Sequence, residues 1–177
     1  MTFEHTIKND TFFVISAEKL RETPSVLFNK VPVLPKIDSI DYVEHAKNAK
    51  SPAIKGKENE TFWYMHTCQT DNLLVIHGTR FVQLYSPVHK KVENFEVTAN
   101  YVKHNGKIIH EGMSIFGWPK FIYHRVDSAN DGSKSINFAV HDGDFDIKTN
   151  FNIYSLNTET GESEIARYGF EDQPTNY

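Results

Sequence analysis

Cysteine is almost absent from this sequence, with one residue, Cys68, among 177. An internal disulfide is therefore excluded, and a single cysteine fits a reducing compartment. Long apolar runs are missing as well, because no stretch approaches the roughly 18 consecutive apolar residues that a membrane-spanning helix needs. The N-terminal residues are polar and lack the apolar core of a signal peptide. These absences predict a cytoplasmic protein without a membrane partner.

An excess of basic residues is also lacking. The chain has 19 lysines and arginines against 23 acidic residues, which gives a net charge of −4 with neutral histidines. Nucleic-acid binders neutralise phosphates with a basic face, so this balance predicts no nucleic-acid partner. The sequence also has no phosphate-binding Gly-rich loop, no Gly-x-Ser-x-Gly elbow and no Cys-x-x-Cys pair. These absences disfavour nucleotide hydrolases, serine hydrolases and dithiol oxidoreductases.

Residue types that favour strands are abundant. Aromatic residues make up 13% of the chain, and β-branched residues are frequent. Short apolar segments alternate with turn residues every 8–12 residues or so, which predicts a sandwich, jelly roll or closed barrel. Tight turns are predicted at His77-Gly78, Asn105-Gly106 and residues 158–161. The predicted strands are residues 61–68, 73–77, 79–85, 92–98, 101–104, 107–110, 121–126, 135–140 and 145–157.

The first third of the chain has a different pattern. Residues 16–22 and 41–50 carry helix-capping signals and are predicted as short helices. The intervening Pro32 and Pro35 require extended backbone. We therefore predict one domain over residues 1–177. In it, residues 1–57 form an arm with short helices packed on a β-barrel of residues 58–177.

Two histidines, a cysteine and a carboxylate are the main candidates for chemistry. In a strand, side chains alternate between faces, so Tyr64, His66 and Cys68 share one face. His66 and Cys68 would then lie about 7 Å apart at Cα, from which two donor atoms can converge on one ion. Asp71 follows directly, and His124 stands on a later predicted strand.

These residues resemble the two sequence motifs of the cupin superfamily. The first motif is His-x-His, then Glu after three or four residues, then Gly after six, and the second contains a Pro and a His. Corresponding positions are held here by His66, Cys68, Asp71, Gly78, Pro119 and His124. Only two residues separate Cys68 from Asp71, so the sequence leaves open whether Asp71 or Asn72 faces the pocket. The resemblance covers about residues 61–140 and the strand-rich tail, and it implies an all-β, cupin-type jelly-roll barrel.

The resemblance implies a metal site. His66, Asp71 and His124 would form a set of two histidines and one carboxylate, which leaves positions for substrate and dioxygen on ferrous iron. Cys68 would be a fourth ligand or line the cavity. The expected cofactor is a divalent metal, Fe, Mn, Ni or Zn, or none if the degenerate motif has lost the site. The implied function is a metal-dependent enzyme acting on a small organic molecule, with an oxygenase as one candidate.

A second interpretation needs no metal. The stretch from His66 to Gln69 is similar to the histidine segment of metal-free nucleotide-sugar epimerases in the same superfamily. His66 would then be the catalytic base, oriented by an aspartate among residues 142–146. Tyr123 or Tyr64 would return the proton on the other face of the sugar.

A third interpretation is a non-catalytic pocket for a small molecule, lined by aromatic side chains and a few polar groups. Trp118 is predicted to be exposed, at a barrel mouth or at the seam of a homodimer, since cupins commonly pair. The candidate pocket residues are Tyr64, Gln69, Tyr85, Trp118, Phe121, Tyr123 and His141.

The remaining histidines and aspartates are predicted to lie at the surface or on the cavity wall. The acidic run at residues 142–146 is predicted to be a solvated turn and not a calcium loop. His110 and His141 are predicted to face the cavity, where either can replace Cys68. The histidines predicted at the surface are His5, His45, His77, His89 and His104.

Overall fold

The computed structural model describes residues 7–173, which are mostly β-strand. One short α-helix, α1 (Ile147–Asn150), and one 3-10 helix (Gly169–Asp172) complete the secondary structure of this range. The strands are β1 (Ile7–Lys8), β2 (Phe13–Ser16), β3 (Glu18–Thr23), β4 (Val26–Lys30), β5 (Ser39–His45), β6 (Lys50–Ser51), β7 (Trp63–Met65), β8 (Gln69–Ser86), β9 (Lys91–Val97), β10 (Tyr101–His104), β11 (Lys107–Glu111), β12 (Ser114–Trp118), β13 (Tyr123–His141), β14 (Ile153–Leu156) and β15 (Ser163–Arg167).

Two long antiparallel strands, β8 and β13, organise the fold. They pair from Gln69 opposite His141 to Tyr85 opposite Tyr123. The register shifts near Gly78, whose φ is +72°. This shift divides each strand into two halves, so that both strands contribute to two sheets.

The strand pairings on either side of the register shift define those two sheets. The first sheet runs β1-β2-β12, then the first half of β8, the second half of β13, and β5. The second runs β11-β10-β9, then the second half of β8, the first half of β13, and β7-β14-β15, with β6 beside β13. All of these pairs are antiparallel, as expected for a jelly roll.

The main apolar core packs the two sheets against each other. One buried cluster joins Leu73 and Phe116 of the first sheet to Val82, Leu84 and Phe95 of the second. Leu84 is fully buried, so its truncation to alanine would cost about 2–5 kcal/mol of folding free energy. The two sheets therefore form the two layers of one barrel, and the predicted all-β fold is confirmed.

The two predicted N-terminal helices are wrong. Residues 18–23 form β3, and residues 39–45 form β5, which pairs with β13 along its full length. In β5 the outward Ile40 and Tyr42 are 64% and 58% exposed, while residues 39, 41, 43 and 45 are partly buried. Pairing with β13 overrides the helix-capping signals, because it satisfies the backbone of β5 and covers one side of the barrel.

The predicted turn at Gly78 is also wrong, and residues 73–77 and 79–85 belong to the single strand β8. A side chain at position 78 would place its Cβ 2.1 Å from the Gly132 carbonyl oxygen, so glycine permits close contact between strands here. Residues 121–126 and 135–140 likewise merge into β13, while β12 and β15 were not predicted. Residues 145–157 contain α1 as well as β14. The Asn105-Gly106 hairpin and the turn at residues 158–161 are confirmed.

The N-terminal segment is mostly part of the barrel. Strands β1, β2 and β5 belong to the first sheet and β6 lies beside the second, whereas β3 and β4 form a separate hairpin. That hairpin exposes apolar side chains, including Leu20 at 66% and Leu27 at 55%. Within residues 7–173, no helix is long and apolar enough to cross a membrane. The single domain over residues 1–177 stays a prediction.

Candidate functional site

A cavity of about 400 Å³ lies inside the barrel. Its wall combines residues 39, 41, 43 and 45 of β5 with inward-facing residues of β7, β8, β12 and β13 and with the segment around α1. The volume falls within the range of small-molecule sites, which is about 300–1,000 Å³. The cavity is therefore large enough for a small organic ligand.

Three buried side chains, His66, Asp71 and His124, meet on the wall of this cavity. Asp71 Oδ2 lies 3.4 Å from His66 Nε2 and 3.9 Å from His124 Nε2. One ligand atom from each residue lies within 4.8 Å of the others. We call these three residues the triad. The structure thus brings together three of the four residues predicted as metal ligands.

Different strands deliver the three side chains. His66 directly follows β7, Asp71 lies near the start of β8, and His124 is the second residue of β13. Antiparallel pairing places Tyr64 opposite His124 and Trp118 opposite Asp71. The long-range pairings of β13 with β7 and of β12 with β8 therefore assemble the triad.

Backbone carbonyl groups orient both imidazole rings. His66 Nδ1 lies 2.5 Å from the Asn150 carbonyl oxygen, and His124 Nδ1 lies 3.2 Å from that of Ile122. A carbonyl oxygen only accepts, so each Nδ1 carries the proton. The Asn150 side-chain amide also lies 3.3 Å from His66 Nδ1, but the carbonyl contact is shorter. The Nε2 atoms of both rings therefore face Asp71 Oδ2.

The Asp71 carboxylate is anchored through its other oxygen. Asp71 Oδ1 accepts hydrogen bonds from Gln69 Nε2 at 2.7 Å and Asn137 Nδ2 at 2.8 Å. The Gln69 amide is oriented in turn, because its Oε1 accepts from Asn150 Nδ2 at 3.0 Å and lies 3.1 Å from His141 Nε2. These bonds leave Asp71 Oδ2 directed at the two histidines.

Burial and charge shift the pKa values of the triad. Burial lowers the pKa of His124 to about 3, and neighbouring His66 adds to the effect. His124 is therefore a neutral imidazole near neutral pH. Burial raises the pKa of Asp71, but attraction to His66 and His124 and the amide hydrogen bonds outweigh burial, so its net shift is downward. The triad thus offers one carboxylate beside an imidazole that is neutral.

Aromatic rings surround the two histidines. The Trp118 ring lies 5.0 Å from that of His124, and the Phe151 ring lies edge-on to that of His66 at 5.2 Å. Tyr64 lies 5.9 Å from His124, and burial raises the pKa of its phenol. These rings give the triad a largely apolar wall with little access for water.

The other predicted site residues divide into two groups. Tyr64, Gln69, Trp118 and His141 line the cavity, although Trp118 is 5% exposed and its predicted exposure is wrong. His141 stacks on Phe145 and is not part of the triad. The residues that do not line this cavity are Cys68, Tyr85, Phe121 and Tyr123.

Each residue of the second group has a different environment. Cys68 is partly exposed in the bend before β8, so the predicted shared strand face with His66 is not formed. Phe121 is 51% exposed. Tyr85 and Tyr123 pack in a separate core cluster, where the Tyr123 hydroxyl lies 2.6 Å from Ser163 Oγ. Tyr123 is therefore not placed to exchange protons with a ligand at the triad.

The register of β8 answers the question that the sequence left open. Asp71 faces the cavity, while the Asn72 side chain donates to the Phe138 carbonyl oxygen. The acidic run at residues 142–146 is exposed, as predicted, and its Asp146 caps α1. Asp71, and not that run, is the carboxylate that contacts His66.

The surface predictions for the remaining histidines are confirmed in part. His77 and His89 are exposed as predicted. The predictions for His45 and His104 are wrong, since His45 lines the cavity and His104 stacks on the Phe95 ring. His110 does not line the cavity, and His5 lies outside the described residues.

Sequence reasoning missed several polar cavity residues, among them His45, Arg80 and Asn137, and it also missed Asn150, which bonds Gln69 and His66. Asn137 lies on a strand that was correctly predicted. Residues two apart in a strand share a face, so its position between Ser135 and Ala139, which are both buried, indicated that Asn137 faces inward. Arg80 carried no such signal, because charged residues in strands usually face solvent, and His45 lay in a predicted helix.

Comparisons with known proteins identify the fold. No protein-family model matches the chain, and curated proteins give no significant sequence match. Among solved structures, the chain is similar to QdtA, a sugar 3,4-ketoisomerase from Thermoanaerobacterium thermosaccharolyticum in complex with TDP. The TM-score is 0.52 at 11% identity, and the match covers 76% of this chain and 83% of QdtA. At this identity the likeness is one of fold, and it supports the cupin-type jelly-roll barrel.

Proposed function

We propose that this chain is a metal-dependent cupin enzyme acting on a small organic molecule, with His66, Asp71 and His124 as the metal ligands. The observation that carries the proposal is the orientation of the three ligand atoms. Both Nδ1 atoms donate to backbone carbonyl groups, and both Nε2 atoms face Oδ2 of Asp71.

The chemistry of the donor set fits a divalent cation. The lone pair of the neutral His124 ring and the Asp71 carboxylate oxygen repel each other unless a cation lies between them. Histidine binds metals as neutral imidazole, and burial holds His124 in that form. Hydrogen bonds to the far sides of metal ligands are the usual way in which proteins orient them. Fe, Mn, Ni and Zn all accept this mixture of nitrogen and oxygen donors.

The residues around the triad have distinct roles in this proposal. A metal bound there would supply Lewis acidity or, as ferrous iron, positions for substrate and dioxygen. Gln69 and Asn137 fix the carboxylate of Asp71. Trp118 and Phe151 exclude water and favour an apolar part of the substrate near the histidines.

Elemental analysis of tag-free protein tests the proposal directly. We expect near-stoichiometric divalent metal in the parent after purification or after loading with Fe, Mn, Ni or Zn. The His66→Ala and His124→Ala variants should lose it, while His89→Ala, which changes an exposed histidine, should retain it. Parent protein that takes up none of these metals would rule the proposal out. Metal that survives in His66→Ala would rule out the triad as its site.

A metal-free reaction is the second candidate, and one contact favours it. Asp71 Oδ2 lies 3.4 Å from His66 Nε2, so the carboxylate can stabilise a protonated His66 formed when the ring removes a proton. One solved structure with a similar fold is a sugar ketoisomerase with bound TDP. In this interpretation His66 abstracts a proton next to a sugar carbonyl.

Deuterium exchange separates this candidate from the metal enzyme. Keto-sugar nucleotides incubated in heavy water with chelator-treated protein should gain deuterium, and His66→Ala should abolish the exchange. Exchange that requires added metal would instead favour the first proposal. A purely binding role predicts thermal stabilisation by such ligands with neither exchange nor turnover.

We further propose that the protein forms a homodimer. The β3–β4 hairpin supports this, because an isolated hairpin is marginally stable in water and this one exposes Leu20, Val26 and Leu27. Light scattering should give twice the mass of the 20.4 kDa chain. A double variant, Leu20→Ser with Leu27→Ser, should shift the protein toward monomer, whereas a monomeric parent would contradict the proposal.

A further inference from the structure

The same cavity contains a buried arginine without a counter-ion. Arg80, on the second half of β8, is 3% exposed and lines the cavity. Within residues 7–173 its guanidinium makes one hydrogen bond, from Nη2 to the Val43 carbonyl oxygen at 3.0 Å, and no ion pair. Burial lowers the pKa of Arg80 to about 10, so the group remains charged at neutral pH.

Other unsatisfied polar atoms lie on the paired strands β5 and β13, which border this end of the cavity. In the described part of the chain, eight buried side-chain polar atoms have no hydrogen-bond partner, and four of them belong to Arg80, His45, Ser133 and Ser135. His45 pairs with Ser133, and Val43 pairs with Ser135, between β5 and β13. Residues directly opposite each other project to the same face, and Val43 and His45 line the cavity. We call these four residues the arginine cluster.

The arginine cluster has the chemistry of an anion site. The Arg80 guanidinium only donates, and the imidazole and hydroxyl groups are able to donate as well, so an acceptor is the partner that satisfies all four residues. A buried charge is costly unless it is paired. Asp41, another cavity carboxylate, does not supply the pairing: it lies opposite Asn137 and accepts from the Ser39 hydroxyl.

We propose that the arginine cluster binds the carboxylate or phosphate group of a small molecule whose other end reaches the triad. This identifies the substrate class of the proposed enzyme, and its reactive end rests on that proposed function. Arg80 pairs with Ser128, which is four residues from His124 along β13, or about 13 Å at Cα. The ligand is therefore a compact organic acid or phosphate ester that spans the cavity.

Thermal unfolding with simple anions tests this site without knowledge of the substrate. Inorganic phosphate and succinate are titrated at constant ionic strength, with chloride as the reference salt. At ten times the dissociation constant we expect the melting temperature to rise by about 3–6 °C. The rise should persist in Arg125→Gln, a matched control whose arginine pairs with Asp127. It should be lost in Arg80→Gln, and the anion that produces it indicates whether the ligand is a phosphate or a carboxylate.

Other variants keep the test decisive. If Arg80→Gln does not fold, His45→Gln should weaken binding and Arg80→Lys should weaken it further, because lysine lacks the planar fork. The proposal is overturned if neither anion stabilises the parent, or if the Arg80 variants respond like the parent. His66→Ala should keep the anion response while losing metal. Anion stabilisation without any metal binding would therefore contradict the proposed enzyme and leave the anion site standing.

Discussion

The two ends of the cavity differ in how the protein satisfies their buried polar atoms. At the triad, each histidine has its Nδ1 bonded to a carbonyl group, and Asp71 Oδ1 accepts two amide hydrogen bonds. Two neighbours, Trp118 Nε1 and Asn150 Oδ1, lack partners. At the arginine cluster, all four residues have an unsatisfied buried atom.

The triad side chains are thus fixed in direction by hydrogen bonds within the protein, whereas the arginine cluster has donors without a partner in the described residues. Ligands of a metal need fixed directions, so the protein bonds their far sides and leaves only the metal-facing atoms free. An anion brings its own acceptors, so its site is a set of free donors. If both proposals hold, the cavity binds a cation at the triad and an anion at the arginine cluster.

The largest effect is expected for Asp71→Asn, which keeps the shape of the carboxylate and removes its charge. We expect metal affinity to fall by more than about 100-fold, since loss of a ligand should exceed the 10–100-fold cost of losing its hydrogen-bond partner. Competition with a coloured chelator measures the change. Asp41→Asn, at a cavity carboxylate outside the triad, is the control. Equal losses in both variants would show that net cavity charge, and not the triad, holds the metal.

Acid should destabilise the metal-free protein through His124. Its pKa is about 6.5 when unfolded and is lowered to about 3 in the fold, so the unfolded state binds more protons between these values. Stability is then fully present above about pH 6.5 and falls with pH toward 3, by up to about 1.4 kcal/mol per pH unit. Denaturant unfolding across this window should show the slope in the parent and in His89→Gln. A His124→Phe variant with an unchanged slope would contradict the prediction.

A smaller effect on metal affinity is expected for the hydrogen bonds that orient the Asp71 carboxylate. Asn137→Ala removes one of the two amide donors to Asp71 Oδ1, so metal affinity should weaken by roughly 10–100-fold without loss of the site. Asn94→Ala is a matched control, since that amide bonds Gln83 on the surface. Titration of both variants with one metal makes the comparison. Unchanged affinity in Asn137→Ala would mean that Gln69 alone fixes the carboxylate.

The smallest effect is expected at the arginine cluster, where a substitution should increase the stability of the protein. Ser135→Ala removes a buried hydroxyl that has no partner, so it should stabilise the ligand-free protein by about 1 kcal/mol. Ser128→Ala should destabilise it, because that hydroxyl donates to the Ala46 carbonyl oxygen at 2.6 Å. Both serines are buried on β13. Destabilisation of both variants to the same degree would show that the arginine cluster is satisfied in solution.

The sequence predicted the fold class from alternating residue patterns, and the cupin-like motif positions indicated all three residues of the triad, although long-range strand pairing assembles them. Alternating apolar residues located most of the strands. His66 and Asp71 lie together as their spacing predicted, even though two of the predicted strands form the single strand β8. The β5 prediction failed because its inward residues, such as Asp41 and His45, are polar while Ile40 and Tyr42 face outward. A strand that covers a polar cavity reverses the usual alternation, and only its pairing with β13 reveals this.

The close approach at Gly78 has a consequence for the tolerance of this sequence to change. Any side chain there meets the Gly132 carbonyl oxygen at 2.1 Å and would also adopt a φ of +72°. Both the backbone conformation and the packing exclude substitution. In a library of all single substitutions, position 78 should be as depleted as His66 under selection for folded, active protein. Under selection for folding alone, Gly78 should remain invariant while His66 becomes variable.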